Sequence, residues 1–467
     1  MKKGSITVYL SLVAMIIIAL MAQILTEAMY QQDRVRVYSA MDIATESVLA
    51  EYARELVNEY GIFFFYSGDG NGNFQNEKIV NRMDEYLYEN LEHTNGMLQM
   101  QIQNIEIDNK VLATDMNGEP FFQEIVEAYE SIIPQKVLEE AQNLKEKEKE
   151  AKGKEQEKEK NKVTQEELTV PKDLKVDKEA KKKAEEVPNP VEIINAIKNN
   201  GILGLVCDTA TLSEQEVDLR NCIANRKLEK GNGKITLDNN PAHRLIYNLY
   251  VKDKCSNYIN CGEKGTQAGL KYQQEYIVAG KKTDKENLTE VVNKILLIRE
   301  GINFVYLLTD SEKMAEANTL AIALVGYTGL QPLITAMMFA ILGVWAYGES
   351  ILEVKCLLNG GKIAFEKTAL NWKLSLTNLC SMEQAAKGNV TEDAQGMTYE
   401  EYLFMLLCNV SKKNVCYRMM DMVEQNIREK TQMSGFRLDH CVWKFTTTVG
   451  VRSRKGTLIQ ATKEVGY

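Results

Sequence analysis

Glu349 and Glu353 stand four residues apart, a spacing that places two carboxylates on one helix face. Such a pair can hold a metal ion or divide the work of general acid and base. The plainer account is a helix face turning to solvent, or salt links to Lys355 or Arg299, and that account is preferred. Asp69, Asn71 and Asn73 alternate as calcium ligands do in an EF-hand loop, but Phe74 fills the required glycine position and Val80 the position of the closing glutamate. Ser67 to Asn73 (SGDGNGN) therefore reads as a turn. His93, His243 and His440 are isolated in sequence. His440 adjoins Cys441, yet neighbouring side chains at a strand start point to opposite faces, which argues against a thiol–imidazole pair. The sequence contains no GxSxG, GxxxxGK[ST], HExxH or CxxC pattern. The expectation is a protein that is not an enzyme, with no catalytic residue, no metal ligand and no cofactor site.

The element that organises the chain is its start. Ser5 to Leu25 carries no charged side chain, and at about 1.5 Å per residue it makes roughly 30 Å of helix, enough to cross a bilayer core. It exceeds the apolar core of a signal peptide and no clean small-x-small site follows, so it reads as a retained anchor. Lys2 and Lys3 point to a cytoplasmic N-terminus, with the body outside the cell. Val37, Met41, Ala44, Val48, Tyr52, Leu56 and Tyr60 extend the helical pattern as one apolar stripe, and no proline or glycine interrupts Ser5 to Tyr60. A single helix from the bilayer into a soluble body is expected.

The 467 residues suggest two domains, and 45% apolar content suffices for a packed core. With 56 basic and 65 acidic residues the net charge is −9, which disfavours nucleic-acid binding. Nine scattered cysteines make no disulfide framework and read as buried thiols. Four segments follow: an anchor at 1–26, the long helix and first part of the body at 27–138, a charged insert or linker at 139–190, and a mainly helical body with C-terminal strands at 191–467. In the insert, runs such as Lys145 to Glu150 (KEKEKE) offer too little apolar surface to offset ordering entropy, so it reads as solvated or disordered.

Within the first part, Glu77 to Leu91 reads as a helix, Leu98 to Ile107 as a half-buried strand with a one-residue slip, Asp115 to Gly118 as a turn, and Pro120 as a helix start. In the body, Thr283 with Glu286 forms a capping box, Thr309 or Asp310 caps the next helix, and Thr398 with Glu401 forms a second box. Asn359 to Gly361 stops a helix, and Lys362 to Phe365 reads as a strand. Cys441 to Val451 alternates as a strand, followed beyond Arg454 to Gly456 by a hairpin arm, Leu458 to Ala461. Its natural partner is Leu98 to Ile107, which ties the two chain ends into one sheet. Ala317 to Gly348 is free of charge, and two readings stay open for it: a second membrane span, or packed core helices divided by Gly326, Gly329 and Pro332.

The opening Lys3-Gly4-Ser5-Ile6-Thr7-Val8-Tyr9, with its apolar run, resembles the N-termini of Tad (tight adherence) pilus-assembly pseudopilins. In that family cleavage follows the glycine and a glutamate normally stands at the fifth mature position, where this chain has Tyr9. The remainder resembles a family of uncharacterised membrane-anchored proteins of Gram-positive bacteria. The stretches that carry this likeness are Gly4 to Val8 (GSITV), Gln274 to Gly280 (QEYIVAG), Asn287, Ile298 to Glu300 (IRE), Asn303, Leu307 to Asp310 (LLTD), Trp345 to Tyr347 (WAY), Lys362, Trp372, Thr398 to Leu403 (TYEEYL) and Arg418 to Asp421 (RMMD). These likenesses imply location and architecture.

The sequence thus leads to an α+β protein whose N-terminal transmembrane helix extends into a long helix with coiled-coil character, with a mainly helical body and a small antiparallel sheet. The expected role is that of a membrane-anchored, pseudopilin-like structural component of a pilus or secretion assembly at the cell surface. The alternative is a membrane-tethered extracellular binding or sensor module. The expected partners are the membrane, through Ser5 to Leu25, and proteins of such an assembly, including a second copy of the chain.

Overall fold

A computed structural model describes residues 3–93, 100–164, 166–170, 178–264, 269–386, 393–431, 433–453 and 455–467. Leu98 and Arg454, and residues 165 and 171–177 of the charged segment, lie outside the described residues. The fold is α+β: mainly helical, with one small antiparallel sheet. The chain divides into two compact units, the first formed by Met1–Ala128, Lys227–Asp238 and Ile427–Tyr467, the second by Tyr129–Arg226 and Asn239–Asn426.

In the first unit, α1 runs unbroken over Lys3–Ala50, about 72 Å of helix. Its apolar window is long enough to cross a membrane and 0% of it is buried. The outer half is different: Val37, Ala40, Met41, Ala44 and Val48, at helical spacing, sit in the unit's core. They meet Ile79, Met83 and Leu87 of α3 (Lys78–Leu87) and the apolar face of the sheet, including Phe445, Val449 and Ile459. Each fully buried branched or long side chain contributes about 1.5–3 kcal/mol, so this half of α1 is held by packing and not by helix propensity.

The helix does not continue to Tyr60 as its sequence suggests. Ala53 is extended, its amide donates to the Phe64 carbonyl at 2.8 Å, and Tyr52 bridges to Phe65. Helix α2 (Arg54–Tyr60) resumes beyond this break and ends on Gly61 at φ 69°. No glycine or proline marks the break; a tertiary contact with the neighbouring β1 (Phe65–Tyr66) makes it. The Ser67 to Asn73 turn follows.

Strand β3 (Cys441–Arg452) is the centre of the sheet. It pairs antiparallel with β2 (Gln101–Leu112) on one edge, while β4 (Leu458–Gly466) and the two-residue β1 share the other. Ile102, Ile105 and Ile107 face Val451, Val449 and Thr447, and the register shifts between Ile102 and Asn104, where the sequence slips by one residue. The pairing of the two chain ends read from alternation is therefore present. Lys227–Asp238 returns to this unit unannounced by any sequence signal: the Gly233 amide donates to the Lys110 carbonyl at 2.8 Å, and a Cβ at Gly231 or Gly233 would overlap the backbone oxygens of Lys110 or Asn109. Helix α4 (Asp115–Glu130) opens with Met116, Asn117 and Gly118 in the left-handed region, the DMNG turn, before Pro120 starts its regular part.

The second unit contains α5 (Gln135–Lys160), α6 (Lys178–Glu185), α7 (Pro190–Asn200), α8 (Pro241–Lys254), α9 (Gln273–Ala279), α10 (Asp284–Thr309), α11 (Ser311–Val325), α12 (Gln331–Leu358), α13 (Tyr399–Asn409) and most of α14 (Lys412–Lys430). Both capping boxes form, at Thr283–Glu286 and Thr398–Glu401, and the Asp310 carboxylate caps α11. Helix α10 is central, packed on α5, α9 and α12. The KEKEKE stretch is not featureless: Ala141, Leu144, Glu148 and Ala151 form a buried line along α5, spaced three, four and three residues apart. Four positions in one line suffice for docking where mean composition suggests none. The most apolar window of α12 is 67% buried, in keeping with a core helix. Among the described residues Lys362 to Phe365 makes one bridge, Ile363 to Met397, and not a strand; the Phe365 carbonyl accepts from Arg299.

Candidate functional site

The Glu349–Glu353 pair lies in a cluster of buried charge. On α12 the two carboxylates are 0% and 5% exposed, so their helix face does not turn to solvent. The reason is a set of cations delivered by other segments. Arg299, on α10 and fully buried, grips Glu353 with two parallel bonds, Nε to Oε2 at 2.9 Å and Nη2 to Oε1 at 2.7 Å. Lys367 donates to Glu353 Oε1 at 2.8 Å and to Glu349 Oε1 at 2.5 Å. The amides of Lys373 and Leu374 donate to Glu349 at 3.0 and 2.7 Å. Asn303, one turn beyond Arg299, donates to Glu353 Oε2 at 2.8 Å and to Ser350 Oγ at 2.9 Å.

Two carboxylates and two cations thus form a neutral cluster. Burial opposes the charge on Glu353, but Arg299 and Lys367 outweigh it and hold the carboxyl at about 2. Burial, with the charge of Glu353 beside it, pushes Glu349 up despite Lys367. Burial disfavours the Arg299 cation, yet the charge on Glu353 raises its affinity for the proton. Arg299 also donates to the Phe365 carbonyl and the Tyr402 hydroxyl, each at 3.0 Å, so one guanidinium joins α10, α12, α13 and the loop after Gly361. The expected link to Arg299 is present. Lys355 instead donates to the Ala386 carbonyl, and Lys367, which no spacing signalled, takes that place. A cavity of about 390 Å³ opens beside the cluster, with Lys362, Lys373 and Asp393 at its wall.

The other sequence candidates lie apart from this cluster. Asp69 organises its own turn, accepting from the Asn71 and Asn73 amides at 2.8 and 3.0 Å and from the Asn73 side chain at 2.7 Å. The Asn73 side chain and amide hold its carboxyl at about 2. His440 ends a helical turn with its ring 5.4 Å from Phe74, and the Cys441 thiol donates to the Arg437 carbonyl, so the adjacent residues have different partners. His93 lies beside Glu89 on the surface, and His243 is 3.9 Å from Glu130. Among the described residues no three His, Cys, Asp or Glu side chains converge as metal ligands.

A second buried network surrounds α9. Glu275 Oε1 accepts from the Tyr399 hydroxyl and the Tyr258 amide, both at 2.8 Å, and burial raises its carboxyl to about 7. Tyr276 donates to Asp421 at 2.9 Å, and Arg418 donates to the Ile277 and Val278 carbonyls at 2.8 and 3.0 Å.

A family model described as a family of unknown function, DUF5702, matches residues 179–453, more than half of the chain. The chain belongs to that family. No curated protein and no solved structure matches it. In this DUF5702 member the most distinctive short stretches meet as buried pairs: QEYIVAG bonds to TYEEYL through Glu275–Tyr399 and to RMMD through Tyr276–Asp421, and IRE bonds to TYEEYL through Arg299–Tyr402. Trp345 and Trp372 pack edge to face, 5.7 Å apart.

Proposed function

We propose that this DUF5702 member is a membrane-anchored, pseudopilin-like structural component of an assembly at the cell surface, not an enzyme. The observation that carries the reading is α1: one unbroken helix whose inner window is wholly unburied and whose outer half is built into the core of a four-stranded sheet unit. A helix so divided transmits any lateral association in the bilayer to the unit it is built into. Beside the buried stripe, the same helix leaves Val35 and Ile43 exposed at 69% and 46%, along an open cleft of about 610 Å³ that also includes Ser39 and Asn90. The opening resembles Tad pseudopilins, which favours packing between copies. The four carboxylate oxygens of Glu349 and Glu353 already accept hydrogen bonds, which fits a structural role for that pair.

The test is the size of the full chain in lipid nanodiscs and native membranes, with Val35→Lys/Ile43→Lys as the variant. Both positions are exposed, so thermal unfolding should match the parent. Loss of higher-order species in the variant supports the reading; a chain that is monomeric before substitution, or an assembly that ignores it, refutes it.

A further inference from the structure

Helices α11 and α12 form a hairpin around the turn Gly326–Thr328. Its base carries charge, at Glu312, Lys313 and Glu316; from Ala317 to Gly348 there is none. A core helix explains the buried part of that run, but not its tip. There Thr319, Ile322, Ala323, Pro332 and Thr335 are all exposed, Ile322 at 51%, and none is ionisable. Solvated helix faces of this length normally carry charge. Helix α6 packs against α11 and the same turn. Its sequence KEAKKKAE holds four lysines and two glutamates; Ala184 is buried, while Lys181, Lys182 and Lys183 are exposed. An uncharged tip that exposes Ile322 and Pro332, bordered by the exposed Lys182 and Lys183 of α6, is a pattern that an anionic lipid interface complements: the aliphatic side chain enters the acyl boundary and ammonium groups meet phosphate.

We propose that the tip of the α11–α12 hairpin and the lysines of α6 together form a second membrane contact that lies on, and does not cross, an anionic phospholipid surface. The charge complementarity of α6 selects lipid over a second protein copy as the occupant. The inference is independent of whether the chain assembles.

The test places the photoreactive residue p-benzoylphenylalanine at Ile322, in the full chain reconstituted into phosphatidylcholine vesicles containing phosphatidylglycerol, with the same residue at Glu312 as a control. Irradiation should yield a phospholipid adduct at 322 and little at 312. The adduct should fall in pure phosphatidylcholine, and by roughly fivefold for each lysine neutralised in Lys182→Gln/Lys183→Gln, as expected for about 1 kcal/mol per basic side chain. Because 322 and 182–183 are exposed, unfolding temperatures should be unchanged. Cross-links to a second copy, equal lipid labelling at 312, or no lipid adduct at 322 would each overturn the proposal.

Discussion

Replacing Arg299 with methionine is the sharpest perturbation of the ionic cluster. The guanidinium supplies two bonds to Glu353 and one each to Phe365 and Tyr402, and no part of it reaches solvent. Its loss leaves Glu353 buried, with Lys367 and Asn303 as its remaining donors, and strips donors from a buried carbonyl and hydroxyl. Breaking a buried ion pair from one side costs about 3–5 kcal/mol, which in a unit of this size lowers the unfolding temperature by roughly 5–8 °C. Differential scanning calorimetry of Arg299→Met, Glu353→Met and the double variant reads this directly. The double variant should be less destabilised than the sum of the singles, because neither charge is stranded. The pH dependence follows from the sign of the Glu353 shift. Its carboxyl titrates lower when folded than the ordinary 4.5, so its contribution is complete above that value and is lost as pH falls toward 2. Arg299→Met should remove this acid limb. A single variant within about 1 kcal/mol of the parent, or strictly additive losses, would refute the cluster as the joint between α10, α12, α13 and the loop after Gly361.

Three further outcomes are expected. Gly280→Ala should lose about 1–3 kcal/mol by chemical denaturation, since Gly280 sits at φ 68° and a Cβ there would meet the Arg418 guanidinium. Glu275 titrates at about 7 when folded, above the ordinary 4.5, so its contribution is greatest below 4.5 and declines as pH rises through 7; Glu275→Gln should flatten that decline in a stability–pH profile. Val48→Lys should unfold the first unit, read by loss of near-ultraviolet circular dichroism, because Val48 is fully buried in that unit's core.

The sequence disclosed elements whose cause is local or periodic. The uncharged run to Leu25, the Val37 to Val48 stripe, the two capping boxes and the alternation that pairs β2 with β3 all follow from spacing alone. What escaped it was tertiary in origin. The break at Glu51 to Ala53 is made by Phe64 and Phe65, with no breaker residue to announce it. Docking of the charged stretch rests on four residues in one line of α5, which bulk composition averages away. Within the cluster, the Glu349–Glu353 spacing and the Arg299 partner were legible, whereas Lys367 arrives on an irregular loop that no helical or strand period addresses. Asn303 lies four residues from Arg299, so its place on the same face of α10 was open to the same helical reasoning.

Hydrogen exchange along α1 of the full chain, in nanodiscs and in detergent-free buffer, bears most directly on the membrane-anchored reading. The account predicts that amides from Ile6 to Leu25 are strongly protected only in lipid, while those from Val37 to Val48 are protected in both. Equal protection of Ile6 to Leu25 without lipid, or exchange of Val37 to Val48 as fast as an unfolded chain, would contradict a helix shared between bilayer and folded core.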